Sequence, residues 1–249
     1  MSKNFELLER AGKATAIFSR EAVATRLPEE PSVGGMALWP QERKVEEIAK
    51  LVQRVFLIPK SETPRTVVLT ATESGAGCSW ICSGVAEFLT TQVNGTVCVV
   101  DANFHSPRLH RHFGVENHNG LSDALVHSDP IREFVRPLSQ LNLWLVSCGS
   151  EASERQGLLS SDRMSLRLSE LRAEFDYVLL DTAPLSQSTD ALVLGASADG
   201  VILVLKAHSS RRQAARKAVS DLRAANAQVL GAVLNQRTFP IPESIYKKL

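Results

Sequence analysis

Two aspartates, each closing a short apolar run, and one glycine-bearing loop are the residues here whose types and spacing could do chemistry. The loop is Thr70-Ala-Thr-Glu-Ser-Gly-Ala-Gly-Cys-Ser-Trp80. Gly75, Ala76 and Gly77 stand just before a helical pattern that runs to about Leu89. Small residues at such a place let backbone N–H groups wrap a phosphate, and the helix N-terminus adds favourable partial charge. A phosphate-binding loop of the P-loop pattern also requires lysine and then serine or threonine. The ammonium neutralises the terminal phosphates and the hydroxyl holds magnesium. Those positions are Cys78 and Ser79 here, and no basic residue stands near Glu73 and Ser74, where some loops of this kind carry a second lysine. Taken alone, the segment reads first as a plain strand-to-helix turn and second as a phosphate site, because glycine suits such turns for steric reasons.

The aspartates strengthen the second reading. Val99-Val-Asp-Ala-Asn-Phe-His-Ser-Pro107 places Asp101 and Asn103 at the end of one run, and Val178-Leu-Leu-Asp-Thr-Ala-Pro184 places Asp181 at the end of another. Each alone could be a helix cap. Together with the loop they form three polar features at three strand ends, which is where open α/β sheets bind ligands. Asp101 could orient a hydroxyl or bind hydrated magnesium, and Asp181 could serve as the metal-holding aspartate.

The elements that must position these residues follow a repeated grammar of β-branched run, polar turn and helical pattern. The runs are Thr66–Thr70, Val97–Val100, Leu143–Val146, Tyr177–Leu180, Val201–Leu205 and Gly231–Leu234. Near-continuous apolar runs suit strands covered on both faces, so the expected fold is a doubly wound α/β domain with a mainly parallel sheet. Apolar residues from Val45 to Phe56 recur at helical spacing, predicting an amphipathic helix over 41–57. Ala214, Ala215, Ala218, Val219, Leu222 and Ala225 predict one apolar face on the last helix. Pro28, Pro31, Gly34, Gly35 and Pro40 mark residues 1–40 as a flexible extension, leaving 41–238 as the domain and 239–249 as a tail.

Composition narrows the function. The net charge of +1 supplies no general field for nucleic acid or a membrane surface. Four cysteines without paired spacing suggest neither a disulfide framework nor a zinc site and fit a cytoplasmic setting. The longest apolar run, 191–205, contains Asp199 and two glycines and is too short to span a bilayer, so any recruitment to a membrane would come through a partner.

With these features in place, the chain resembles the bacterial tyrosine autokinases of capsule and exopolysaccharide biosynthesis, P-loop proteins related to MinD and ParA. The resemblance rests on the segment from Asp101 to Gly114, then Gly120-Leu-Ser-Asp-Ala-Leu125, Asp176–Pro184, Thr189-Asp-Ala-Leu192, Asp199–Val204 and Val229–Asn235. It implies ATP or ADP and magnesium as ligands, with Gly75, Ala76, Gly77, Cys78 and Ser79 at the nucleotide, Ser79 and Asp181 on the metal, and Asp101 and Asp181 in catalysis. It also implies an inner-membrane chain-length determinant protein as partner, a homo-oligomer, and a phosphoacceptor tyrosine in the tail, for which Tyr246 is the candidate.

The chain departs from the family at the same site. Members carry lysine at the place of Cys78, aspartate at the place of Asn103, and a tyrosine cluster where this tail has Tyr246 alone. Loss of the lysine removes a full positive charge from a reaction that depends on electrostatic stabilisation. The expected function is therefore a kinase-like regulator of polysaccharide polymerisation and export with weak or absent catalysis. An active tyrosine autokinase and a ParA/MinD-like positioning ATPase are the alternatives. Cys78 reads as a neutral filler before a redox thiol, and Cys78 with Cys82 makes a poor metal site. His105, His110, His112 and His118 read as polar surface, and Arg108 and Arg111 are the basic side chains close enough in sequence to Asp101 to be pictured beside it. Glu47, Lys50 and Arg54 partly match a subunit-contact motif and equally suit a solvated face. Tyr246 reads first as a docking anchor and second as a residual phosphoacceptor.

Overall fold

Each apolar run becomes a strand in a computed structural model that describes residues 41–58, 63–138, 142–150 and 157–237. The expected extension (1–40), the tail (239–249) and Tyr246 lie outside the described residues. In chain order the elements are α1 (Gln41–Val52), continued by a π-helical turn (Gln53–Leu57), β1 (Thr66–Ala71), α2 (Cys78–Gln92), β2 (Val97–Ala102), and the single-turn helices α3 (Leu109–His112) and α4 (Leu121–Ala124). There follow a 3-10 turn (Ile131–Phe134), β3 (Arg136–Pro137), β4 (Leu143–Val146), α5 (Asp162–Glu174), β5 (Tyr177–Thr182), α6 (Asp190–Ser197), β6 (Gly200–Lys206), α7 (Arg212–Ala224) and β7 (Val229–Asn235).

The seven strands form one sheet in the order β3-β4-β2-β5-β1-β6-β7, parallel throughout except for the β3–β4 pair. Alternation along each strand divides the core. Val67, Leu69, Val97, Val99, Leu179, Ile202 and Val204 face α1 and α2. Val68, Val100, Leu180 and Val201 face the layer that includes α5, α6 and α7. The doubly wound, mainly parallel expectation holds, and the short antiparallel β3 is an addition.

Two local differences have physical causes. The helix over 41–57 forms, but its last turn widens to π geometry, which buries Val55 and Phe56 side by side against the sheet. On α7 the anticipated apolar face is only half used: Ala218 and Leu222 are buried, whereas Ala214 is exposed and Ala215 and Val219 are partly covered. β7 is the outermost strand, so the helix has sheet beneath one side of it only.

At the amino ends of the strands, aspartates stitch the sheet. Asp199 accepts hydrogen bonds from the N–H groups of Arg65 and Thr66 at 2.7 and 2.8 Å. Asp176 accepts from the Thr96 N–H at 2.9 Å, and these Thr96 bonds hold its carboxyl below the usual range. The aspartates at the opposite edge are treated differently.

Candidate functional site

Asp101 and Asp181 sit directly opposite one another in the β2–β5 register, one residue before the end of each strand. By strand parity with Val99 and Leu179 both belong to the face covered by α2. Adjacent strands are only about 4.8 Å apart, so two carboxyls are held as neighbours in a region without solvent exposure. β1 lies on the other side of β5, pairing Leu69 with Asp181, and delivers the glycine loop to the same edge. The edges are fastened by Thr182 Oγ1, which donates to the Leu69 carbonyl, and Thr70 Oγ1, which donates to the Ala183 carbonyl, both at 3.0 Å.

The two carboxyls have unequal surroundings. Asp101 Oδ1 accepts the Asn103 N–H at 3.2 Å, and Oδ2 accepts the Arg108 and Leu109 N–H groups at 3.0 Å each. Neither oxygen of Asp181 has a hydrogen-bond partner. Ser79 and Cys78 face Asp181 and favour its ionised form, yet neither closes a hydrogen bond with it. Both carboxyls are pushed up, by burial first, and for Asp101 by the charge of Asp181 next. Three backbone N–H donors favour the anion at Asp101, and Ser79 and Cys78 favour it at Asp181, but burial outweighs both, so the pair retains a proton that belongs to the two carboxyls jointly. No Lys or Arg side chain forms an ion pair with either carboxylate among the described residues.

Cys78 opens α2 directly after Gly77, whose φ of 82° is left-handed, and Gly75 is left-handed too at 74°. The helix's first-turn N–H groups have no intrahelical acceptors and present an anion-binding end. Burial, followed by the charge of Asp181, pushes the thiol of the half-buried Cys78 well above its ordinary range, which favours the neutral-filler reading over a redox thiol. Ser79 is buried at 7% exposure in the first turn, beside the open oxygens of Asp181.

A set of residues that sequence reasoning missed holds the loop in shape. Ser210 Oγ donates to Glu73 Oε1 at 2.7 Å, lies 3.2 Å from Thr72 Oγ1, and accepts the Lys206 N–H at 2.8 Å. Asn235 Nδ2 donates to the Ala76 carbonyl at 2.8 Å, and Gln236 Nε2 donates to the Gly75 carbonyl at 3.0 Å. The loop is therefore clamped by the carboxyl ends of β6 and β7. A β-carbon on Gly77 would run into the Asn235 amide, whereas one on Gly75 would meet open space. Both positions carry backbone strain for a non-glycine residue, about 1–3 kcal/mol. Gly77→Ala is accordingly expected to lower the thermal midpoint more than Gly75→Ala, and equal losses in parallel melts would refute the clamp.

Several sequence expectations are corrected. Arg108 and Arg111 do not bring their charge to the site: both side chains are exposed, and Arg108 reaches Asp101 through its backbone only. Asn103 shapes the turn, its Oδ1 accepting the Ser106 N–H at 3.0 Å. The histidines are not uniformly surface, because His110 has a buried Nδ1 without a hydrogen-bond partner, and burial followed by the Arg111 charge pushes it down. Glu47 and Lys50 form an exposed ion pair at 2.8 Å on α1, which suits a solvated face and a subunit contact alike.

Comparison with known proteins agrees with this geometry. No family model matches the chain. EpsB of Ralstonia nicotianae, named among the tyrosine-protein kinases, is 28% identical over 213 residues, which cover 86% of this chain and 27% of EpsB. The chain thus spans about a quarter of that relative's length. Tyrosine-protein kinase YwqD of Bacillus subtilis is 29% identical over 171 residues, covering 69% of this chain and 72% of YwqD. Among solved structures, the kinase domain of Escherichia coli tyrosine kinase ETK superposes with a TM-score of 0.70 at 22% identity, covering 80% of this chain and 79% of that one. The relatives are bacterial tyrosine-protein kinases, and the fold is that of their P-loop kinase domains.

Proposed function

We propose that the chain is a tyrosine-kinase-like regulator of exopolysaccharide polymerisation and export, with weak or absent phosphoryl transfer, acting through contact with an inner-membrane chain-length determinant protein. The observation that carries this reading is a loop whose expected ammonium is replaced by a neutral thiol, beside two buried carboxyls that no Lys or Arg among the described residues pairs with. The role in polysaccharide export and the membrane partner follow from the family resemblance. Among the described residues no helix is long and apolar enough to cross a membrane, which leaves contact with the membrane to a partner in this reading.

The site still fits magnesium in part. Both oxygens of Asp181 are open and Ser79 stands beside them, so these two residues would hold the ion, with the N–H groups of Gly75 to Ser79 around the phosphates. Bound there, magnesium would neutralise phosphate charge and orient the terminal group. What this chain's own residues lack is the second positive charge. Asp101 is tied to three backbone N–H groups, which fix it as a turn-forming residue.

The test is calorimetric titration of the wild-type chain with Mg-ADP and Mg-ATP, alongside incubation with radiolabelled ATP. The expected result is no saturable binding at micromolar nucleotide and no label on Tyr246. Micromolar binding with labelling of Tyr246 would establish an active autokinase instead.

A further inference from the structure

The two edges of the sheet are built on opposite plans. β3 is two residues long and consists of Arg136 and Pro137, a charge and a residue without an N–H, which are the usual means of blocking further pairing. β7 at the other edge is seven residues long, Val-Leu-Gly-Ala-Val-Leu-Asn, with no proline and no charge. It pairs with β6 only, and its sole irregularity is the extra residue Leu230 near its start, which leaves Gly231 to Asn235 in regular register. Leu234 is 51% exposed and Ala232 is exposed beside it. A long, apolar edge without charge or proline is a template for another strand.

Beside this edge, between α7 and the sheet, runs a groove of about 460 Å³ floored by Leu203, Leu205 and Ala232. Arg212, Arg216 and Arg223 line it. Their spacing of four and seven residues stacks them on one side of α7. None of the three is in an ion pair among the described residues, whereas the neighbouring Lys217 is bonded to Asp221 at 2.6 Å. Three guanidinium groups without an ion-pair partner among the described residues, beside an apolar edge that no other described strand pairs with, specify an anionic, extended occupant.

We infer that β7 is a docking edge for an extended acidic segment of a partner protein, which adds to the sheet as a further strand and sets its carboxylates against Arg212, Arg216 and Arg223. Main-chain hydrogen bonds to β7 supply affinity, the arginines select for acidic residues on the face that carries Ala232 and Leu234, and apolar side chains at the alternate positions fall on the face of Val233. Charge distinguishes this occupant from a second copy of the chain. Pairing β7 with β7 across a two-fold axis would bring two such arginine rows toward each other, which is repulsive.

The experiment uses the full chain and a fluorescein-labelled peptide of alternating glutamate and valine, with a lysine–valine peptide as control. Anisotropy is expected to show saturable binding of the acidic peptide only, weakened at least tenfold in Arg216→Glu, a surface change that leaves the melting curve in place. Hydrogen exchange of the β7 amides is expected to slow when the acidic peptide is added. Equal binding of both peptides, no binding of either, or unchanged exchange in β7 would overturn the assignment. Sedimentation of the wild-type chain as a dimer that Leu234→Asp dissociates would also overturn it, giving the edge to a second copy.

Discussion

Cys78→Lys is expected to raise affinity for Mg-ADP by about ten- to a hundredfold over the wild-type chain. One charge-assisted contact to phosphate contributes about 1.5–3 kcal/mol, and 1.4 kcal/mol is a factor of ten. Everything else the contact needs is in place. The loop already holds two left-handed glycines and is clamped by Asn235, Gln236 and Ser210, so a lysine at its end would enter a formed cradle. Its ammonium would reach from the half-buried start of α2 toward Asp181, whose oxygens are open. Calorimetry on the two proteins measures the gain directly. A variant that binds no better than wild type would show that the thiol is not what prevents binding.

The expected gain also clarifies Asn103. The family resemblance implies an aspartate at the place of Asn103, and the neutral amide here accepts the Ser106 N–H through its Oδ1. A third carboxyl beside Asp101 and Asp181 would add charge to a site that has no lysine to balance it. Neutral residues at 78 and 103 are thus electrostatically consistent with one another, since a site without a cation at the first position favours having no anion at the second.

The parts of this site that were legible in the sequence are those encoded by adjacent residues. Asp101 and Asp181 each end an apolar run, and strand parity then fixes their common face. Gly75 and Gly77 announce a turn within a few residues. The clamp was illegible because its partners are 137 residues apart for Ser210 and Glu73 and 161 apart for Gln236 and Gly75. Their only local signal is that Ser210 and Asn235 stand at the carboxyl ends of apolar runs, where polar residues gather. The fold divides the same way. β7 begins two residues earlier than its β-branched pattern, because the bulge at Leu230 breaks the alternation. β3 was invisible because two residues carry no periodicity. α7 shows an apolar stripe wider than the sheet beneath it, and no helix pattern reveals that its strand neighbour is the last one.

The second large effect is on stability, and its sign depends on pH. Both site carboxyls have folded-state pKa values above the ordinary 3.8. A raised carboxyl binds its proton more tightly in the folded chain than in the unfolded one. Its stabilising contribution is full below about pH 4 and is lost as pH rises toward the folded value, which for the pair extends to about 8. The wild-type chain is therefore expected to lose stability across pH 4 to 8. Asp181→Asn removes the carboxyl that no N–H supports and relieves Asp101 of its neighbour's charge. At pH 8 the substitution is expected to stabilise the fold by about 2–3 kcal/mol, roughly 5–10 °C in the thermal midpoint. At about pH 2, where Asp181 is a neutral acid in both states, the difference should vanish. Cys78→Lys should flatten the same profile by another route, lowering the Asp181 pKa with an opposite charge while keeping the metal-holding group. The comparison separates two meanings of the open carboxylate. If it is kept for a ligand, Asp181→Asn gains stability and forfeits any magnesium-dependent binding recovered in the Cys78→Lys background. An Asp181→Asn protein that is less stable than wild type at pH 8 would mean that its oxygens have partners and that the site is not held open at the fold's expense.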